Sequence, residues 1–268
     1  MNKVILIVID GCRPDGLLKA KTPVIDALMN NGASSLKMQT VNPPTTLPAH
    51  ISIFTSTKPV NHGVLTNAGR VDQSANAFSI LDLAKYWGKS VSGFFSWNHF
   101  TTLGGPYSFD FVVSSSTGLR QDNDMIIARH AARHLIENPS DLSFIYLERT
   151  DKIGHKFKYM SDDYLFAIEM ADTAIGHIVE SLKSEDLLNM YHIIVQADHG
   201  GLGNQHNQLI PEVMTVPWIA SGNNVKKGFG IEGEVSILDT APTIARLLEI
   251  NHHPYWEGRC LDEIFMSD

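Results

Sequence analysis

The segment Val4-Ile5-Leu6-Ile7-Val8-Ile9-Asp10-Gly11 decides the fold. Its apolar run shows none of the two-residue alternation of a half-exposed strand and is dominated by β-branched residues, so it reads as a strand buried on both faces. Segments 90–96, 142–148 and 191–197 carry the same signature, with 216–221 and 36–41 as weaker members. Stretches of helical spacing lie between them. Thr22-Pro23 opens one with an N-cap and a first-turn proline, and it stops near Gly32; the others cover 79–87, 122–137, 162–182 and 239–248. Parallel strands need crossover connections, and helices are the usual ones. The alternation therefore predicts an α/β fold, a mostly parallel central sheet with helices on both faces.

Composition is that of an ordinary globular chain: 268 residues, 43% hydrophobic and 19% charged. No repeat, linker or charge block divides it, which predicts a single domain over residues 1–268, with an irregular cap around 97–121. Lys+Arg 21 against Asp+Glu 29 gives a net charge of −8 without any basic run. Duplex nucleic acid and anionic membranes, which need a positive footprint, are not the expected partners, and the oligomeric state is left open. The first apolar run is shorter than a secretory h-region, and no run approaches a membrane span. Two cysteines, Cys12 and Cys260, supply no disulfide framework. The expectation is a soluble, cytoplasmic protein.

Three strand-like runs end at or just before an aspartate: Asp10, Asp151 and Asp198. In an open parallel sheet ligands bind beyond the carboxyl ends of the strands, so the three carboxylates should share one edge. A single such aspartate is an ordinary turn or cap residue. Here two of them arrive with histidines, in Asp151-Lys-Ile-Gly-His155 and in Asp198-His199-Gly-Gly-Leu-Gly-Asn-Gln-His206. Three like charges at one edge repel unless cations neutralise them. Imidazole and carboxylate without thiolate suit zinc first, with manganese as the alternative. Asp10, Asp151, His155, Asp198, His199 and His206 are too many ligands for one tetrahedral ion and a natural supply for two. Such a pair is the clamp used in phosphoryl transfer. Two divalent ions would also reverse the sign of the site and admit an anionic substrate.

Asn42-Pro-Pro-Thr-Thr-Leu-Pro-Ala-His50 precedes an apolar, helix-like run, which places Thr45 and Thr46 just outside a helix N-terminus, where anions are favoured. A threonine hydroxyl becomes a nucleophile when a divalent ion lowers its pKa. Spacing alone does not choose between Thr45 and Thr46.

Taken together, these segments resemble the alkaline phosphatase superfamily, in its type I phosphodiesterase/nucleotide pyrophosphatase branch. Asp10-Gly-Cys-Arg13 resembles the branch's D-G-x-R motif, Thr46-Leu-Pro-Ala-His50 its T-x-P-x-H turn, and His62-Gly-Val-Leu-Thr-Asn67 its H-G-x-x-x-N element. Asp151–His155 is similar to D-x-x-G-H, Asp198-His199-Gly200 to D-H-G, and 238–245 to the late helix. The resemblance implies an alkaline-phosphatase-like fold and Thr46 as the nucleophile. It also implies one ion held by Asp151, His155 and His206 and another by Asp10, Asp198, His199 and the Thr46 oxygen. Asn67 would direct its amide at a phosphoryl oxygen. The implied function is a metal-dependent hydrolase of small-molecule phosphate esters, phosphodiesters or nucleotide pyrophosphates, working through a metal-activated Thr46 and a phospho-threonine. Phosphomonoesters and phosphonates are the alternative substrates. A metal- or nucleotide-binding module is the non-enzyme alternative, and it lacks a glycine-rich phosphate fingerprint.

The pattern departs from the branch at His206, which follows D-H-G closely where many members carry this ligand far downstream; His252 and His253 are its substitutes. Sulfatase relatives use a C-x-P-x-R cysteine. Thr46 stands where that cysteine would be needed, so sulfate esters are disfavoured. His50 and His62 are expected to brace backbone turns, and His130 and His134 to lie on an exposed helix face.

Overall fold

The computed structural model describes residues 2–68, 78–115 and 122–266. Among the described residues eight strands form one sheet: β1 Lys3–Ile9, β2 Gly32–Gln39, β3 Val91–Phe95, β4 Phe111–Ser114, β5 Leu142–Leu147, β6 Tyr191–Gln196, β7 Thr215–Ser221 and β8 Phe229–Gly230. Their order is β4-β3-β5-β1-β6-β7-β2-β8. Only β7 runs against its neighbours, β6 and β2. The parallel α/β expectation holds. β1 occupies the middle, in register with Leu142–Leu147 on one side and with residues 191–196 on the other.

Val4 to Ile9 are at most 2% exposed, so both faces of β1 are covered. Helices Asn123–Glu137 and Asp162–Ser184 pack on each other, while Thr46–Thr55, Ile80–Tyr86 and Thr240–Leu247 form a second group. Caps set several of these starts: Ser79 accepts from the Asp82 N–H, and Ser161 from that of Tyr164. Removing a fully buried β1 side chain such as Ile7 would cost about 2–5 kcal/mol.

The stretch expected as a cap is partly built into the sheet. Asn98–Thr102 is a short 3-10 turn, but Phe111–Ser114 is the outermost strand, parallel to β3. The end of that stretch, residues 116–121, lies outside the described residues. β2 begins earlier than expected, at Gly32, because its weakly apolar first half pairs with β7. Among the described residues no helix is long and apolar enough to cross a membrane. Both cysteines are free, and burial pushes the Cys12 thiol up to about 12.

Candidate metal centre

β1, β5 and β6 are adjacent and parallel, so their carboxyl ends lie side by side. Asp10 follows β1 directly, Asp198 follows β6 by two residues, and Asp151 sits in the first turn of helix Arg149–Phe157, just beyond β5. One helical turn then carries His155 to the same side, since residues four apart share a face. Ligand atoms of Asp151, His155 and His206 lie within 4.8 Å of one another, and so do those of Asp10, Asp151 and His199.

The inner half of the site gathers on His199. Its Nε2 is 3.3 Å from Asp10 Oδ1, 3.4 Å from Asp198 Oδ2 and 3.4 Å from Thr46 Oγ1. Its Nδ1 lies 2.9 Å from the Gly200 carbonyl oxygen. A carbonyl only accepts, so Nδ1 carries the hydrogen and the neutral ring presents a lone pair at Nε2. Asp10 Oδ1 and Asp198 Oδ2 are buried and make no hydrogen bond. Three acceptor atoms thus converge on one spot, where the Thr46 hydroxyl can donate to Nε2 but neither carboxylate oxygen has a donor. Such an arrangement is costly unless a cation occupies it, and the donor set fits a divalent ion.

The other carboxylate oxygens are held. Tyr146 donates its hydroxyl to Asp10 Oδ2, and the N–H groups of Gly11 and His199 donate to Asp198 Oδ1 at 3.1 and 3.0 Å. Orientation by such partners is the usual support of metal ligands.

The outer half repeats the logic with more solvent. His155 Nδ1 is 2.7 Å from the Asn204 carbonyl and His206 Nδ1 is 2.8 Å from that of Pro44, so both rings turn Nε2 toward Asp151. The separations are 3.2 Å from His155 to Asp151 Oδ2 and 4.0 Å from His206 to Oδ1. The rings of His206 and His199 stack at 3.8 Å, linking the halves.

Protonation follows burial and charge. Burial, then the nearby Asp198 and Asp151 carboxylates, push Asp10 well above the carboxylate range; burial also raises Asp198. Burial pushes Asp151 up too, but the His155 hydrogen bond and three imidazoles outweigh it and bring it to about 2. His155 rises in return to about 9 through its bond to Asp151, whereas burial and then His199 lower His206 to about 4. Burial lowers His199 as well. Perturbations of this size in one cluster mark functional sites.

Thr46 is the first residue of helix Thr46–Thr55 and Thr45 is its N-cap, one step inside the expected boundary. Thr46 Oγ1 lies 3.4 Å from His199 Nε2, so of the two threonines it is Thr46 that touches the cluster. Asn67 accepts from the Leu47 N–H at 2.9 Å through Oδ1, keeping its amide beside the start of that helix. The expected constellation is therefore brought together, with Asn67 at its rim. His252 and His253 are not in it.

A model of the type I phosphodiesterase / nucleotide pyrophosphatase family matches residues 4–218. The chain belongs to this family. Bovine ectonucleotide pyrophosphatase/phosphodiesterase family member 3 is 26% identical over 216 residues, 74% of this chain and 24% of the relative. Venom phosphodiesterase of Naja atra is 28% identical over 218 residues, 74% of this chain and 26% of its own. The chain spans about a quarter of the length of these curated relatives. Among solved structures, an inactive variant of murine ectonucleotide pyrophosphatase/phosphodiesterase 5 in complex with AMP is similar with a TM-score of 0.80 and 16% identity, over 95% of this chain and 96% of that one.

The glycines of this phosphodiesterase-family chain have local reasons. Gly11 has φ +67°, and a side chain there would press on Asp151. Gly200 passes so close to the Glu212 carbonyl that a Cβ would lie 2.2 Å from its oxygen. Gly154 and Gly201 make room for the ring of Tyr159, whose hydroxyl donates to Asp151 Oδ1. Tyr146 and Tyr159 are the site residues that sequence reasoning missed. A tyrosine inside an apolar run reads as core, and only the glycine of D-x-x-G-H hints at a ring beside it. His50 and His62 brace as expected: His50 Nδ1 donates to the Thr46 carbonyl at 2.7 Å, and His62 Nε2 lies 3.1 Å from Ser52 Oγ. His130 is exposed, but His134 stacks on Phe111 at 4.0 Å instead of facing solvent alone.

Proposed function

We propose that the chain hydrolyses phosphate diesters or nucleotide pyrophosphates, with Thr46 as nucleophile and two divalent ions, zinc first and manganese second, as cofactors. The observation that carries this reading is the contact of Thr46 Oγ1 with His199 Nε2, beside two buried carboxylate oxygens that lack any donor. Asp10, Asp198 and His199 would hold one ion with the Thr46 oxygen, and Asp151, His155 and His206 the other. The ions would supply an acidified nucleophile and charge neutralisation at the leaving oxygen.

The chain's own residues do the rest. Thr46 Oγ attacks phosphorus, one P–O bond forms as the bond to the leaving oxygen breaks, and the phosphoryl group rests on Thr46. Water then takes it, restoring the hydroxyl, and two in-line displacements give net retention at phosphorus. The Asn67 amide, with the N-terminal end of helix Thr46–Thr55, faces the charge that develops on the phosphoryl oxygens. The AMP held by the murine relative supports a nucleoside phosphate as the group seated here. The cytoplasmic location remains part of this proposal, as do small phosphoesters, rather than nucleic acid or membrane, as partners.

Thr46→Ala tests the reading against bis-p-nitrophenyl phosphate and a panel of dinucleotides, monoesters and phosphonates. We expect turnover of the preferred substrate to fall by at least about 10⁴-fold while both ions stay bound. Full activity in the variant would remove Thr46 from the mechanism. Metal binding without turnover of any member of the panel by the unmodified chain would favour a binding module.

A further inference from the structure

We propose that Tyr159 is the positioning residue of the outer metal site, fixing the carboxylate of Asp151 and thereby setting that site's affinity independently of the inner one. The inference rests on the two-ion reading above. The Tyr159 hydroxyl donates to Asp151 Oδ1, which leaves Oδ2 directed at His155 Nε2, 3.2 Å away. The His155 contact restrains only Oδ2, and His206 Nε2, 4.0 Å from Oδ1 with its Nδ1 beside the Pro44 carbonyl, donates nothing to it, so the Tyr159 bond is what holds Oδ1.

The seat of this tyrosine is built at a cost that packing alone does not require. Its neighbours Lys158 and Met160 have φ of 81° and 67°, conformations that side-chain-bearing residues rarely adopt. A Cβ on Gly201 would lie 2.2 Å from the ring's Cζ, and one on Gly154 2.9 Å from it. The Tyr159 N–H donates to the Gly203 carbonyl at 2.8 Å, tying the seat to the loop that delivers His206. Two turns and a strained backbone therefore converge to place one hydroxyl. Tyr146, which donates to Asp10 from β5, is its counterpart on the inner side.

The test is a zinc titration of the metal-stripped full chain by chelator competition, resolving two binding constants, for the unmodified protein, Tyr159→Phe and Tyr146→Phe. Phenylalanine keeps the ring and removes only the hydroxyl. Tyr159→Phe is expected to weaken one ion about 10- to 100-fold, the range for loss of an orienting partner, and to leave the other within threefold. Added to His155→Ala, it should change the remaining ion's affinity by less than threefold, whereas Tyr146→Phe should weaken it. The metal-free Tyr159→Phe protein should unfold in one cooperative transition a few degrees below the parent, the cost of one hydrogen bond to a carboxylate. Unchanged zinc constants in Tyr159→Phe, or equal weakening of both ions, would each overturn the proposal. If the unmodified chain binds fewer than two ions, the two-ion reading fails and takes this inference with it; two normal ions with an indifferent Tyr159→Phe would sink this inference alone.

Discussion

The two halves of the candidate metal centre both combine carboxylate with imidazole and differ in how they are buried. Asp10, Asp198, His199 and Thr46 are all at most 6% exposed, and two of their carboxylate oxygens have no donor. In the outer half the His155 side chain is 44% exposed and that of His206 13%. In the inner half Asp10 Oδ1 and Asp198 Oδ2 lack a donor and are shut away from water, so a cation there would relieve the most. The outer half satisfies itself with a proton, His155 pairing with Asp151. The inner half therefore has the greater need of a cation, and the outer half is the one open to solvent and pH.

The largest effect that sharpens this contrast belongs to Asn67, which stands beside the inner half without belonging to it. Asn67→Ala should lower kcat by about 10²–10³-fold, as loss of one donor to a developing oxyanion does, and leave both zinc constants unchanged. Steady-state rates and a zinc titration on the same preparation check it; a fall in zinc affinity would make Asn67 part of the metal scaffold instead.

A smaller effect should separate the two histidines directly. His199→Ala should weaken one ion by more than about 100-fold, whereas His155→Ala, where water can stand in, should weaken the other by less. Equal losses in calorimetric titration would break the distinction drawn between the halves.

The smallest effect is one of pH. Metal-free His155 is held protonated up to about 9 by Asp151, so an ion binding there must displace that proton. Affinity of the outer site should accordingly rise by up to about tenfold per pH unit from neutrality to about pH 9 and flatten above it. Burial keeps the inner imidazole of His199 below its ordinary value, so that ring contributes no such proton near neutrality. Zinc titrations between pH 7 and 10 read the slope. A flat profile for the outer ion would mean that His155 is not its ligand.

The sequence made the sheet legible because its central strands are buried on both faces and hence continuous in apolar residues. Asp10 and Asp198 were legible for the same reason, each being the first charge after such a run. Strands β4 and β8 were not, since a short exposed edge strand such as Phe111–Ser114 and a two-residue strand carry no periodicity. Helix Arg149–Phe157 was read only as ligand spacing: it is short, carries Gly154 within it, and follows β5 almost without a loop. Position before Pro48 narrowed the threonine to two residues, the family resemblance pointed to Thr46, and the structure puts Thr46 Oγ1 beside His199. Tyr146 stayed hidden because a hydroxyl that acts across 136 residues leaves no local pattern, and Tyr159 because its bond to Asp151 is made by a turn outside the helical spacing.

If seven side chains between Asp10 and His206 surround two cation positions, diffraction from zinc-soaked crystals at the zinc absorption edge should show two anomalous peaks about 3.5–4 Å apart, one bounded by Asp10, Asp198, His199 and Thr46 and the other by Asp151, His155 and His206. A single peak, or peaks away from these residues, would show that these side chains do not form a two-ion site.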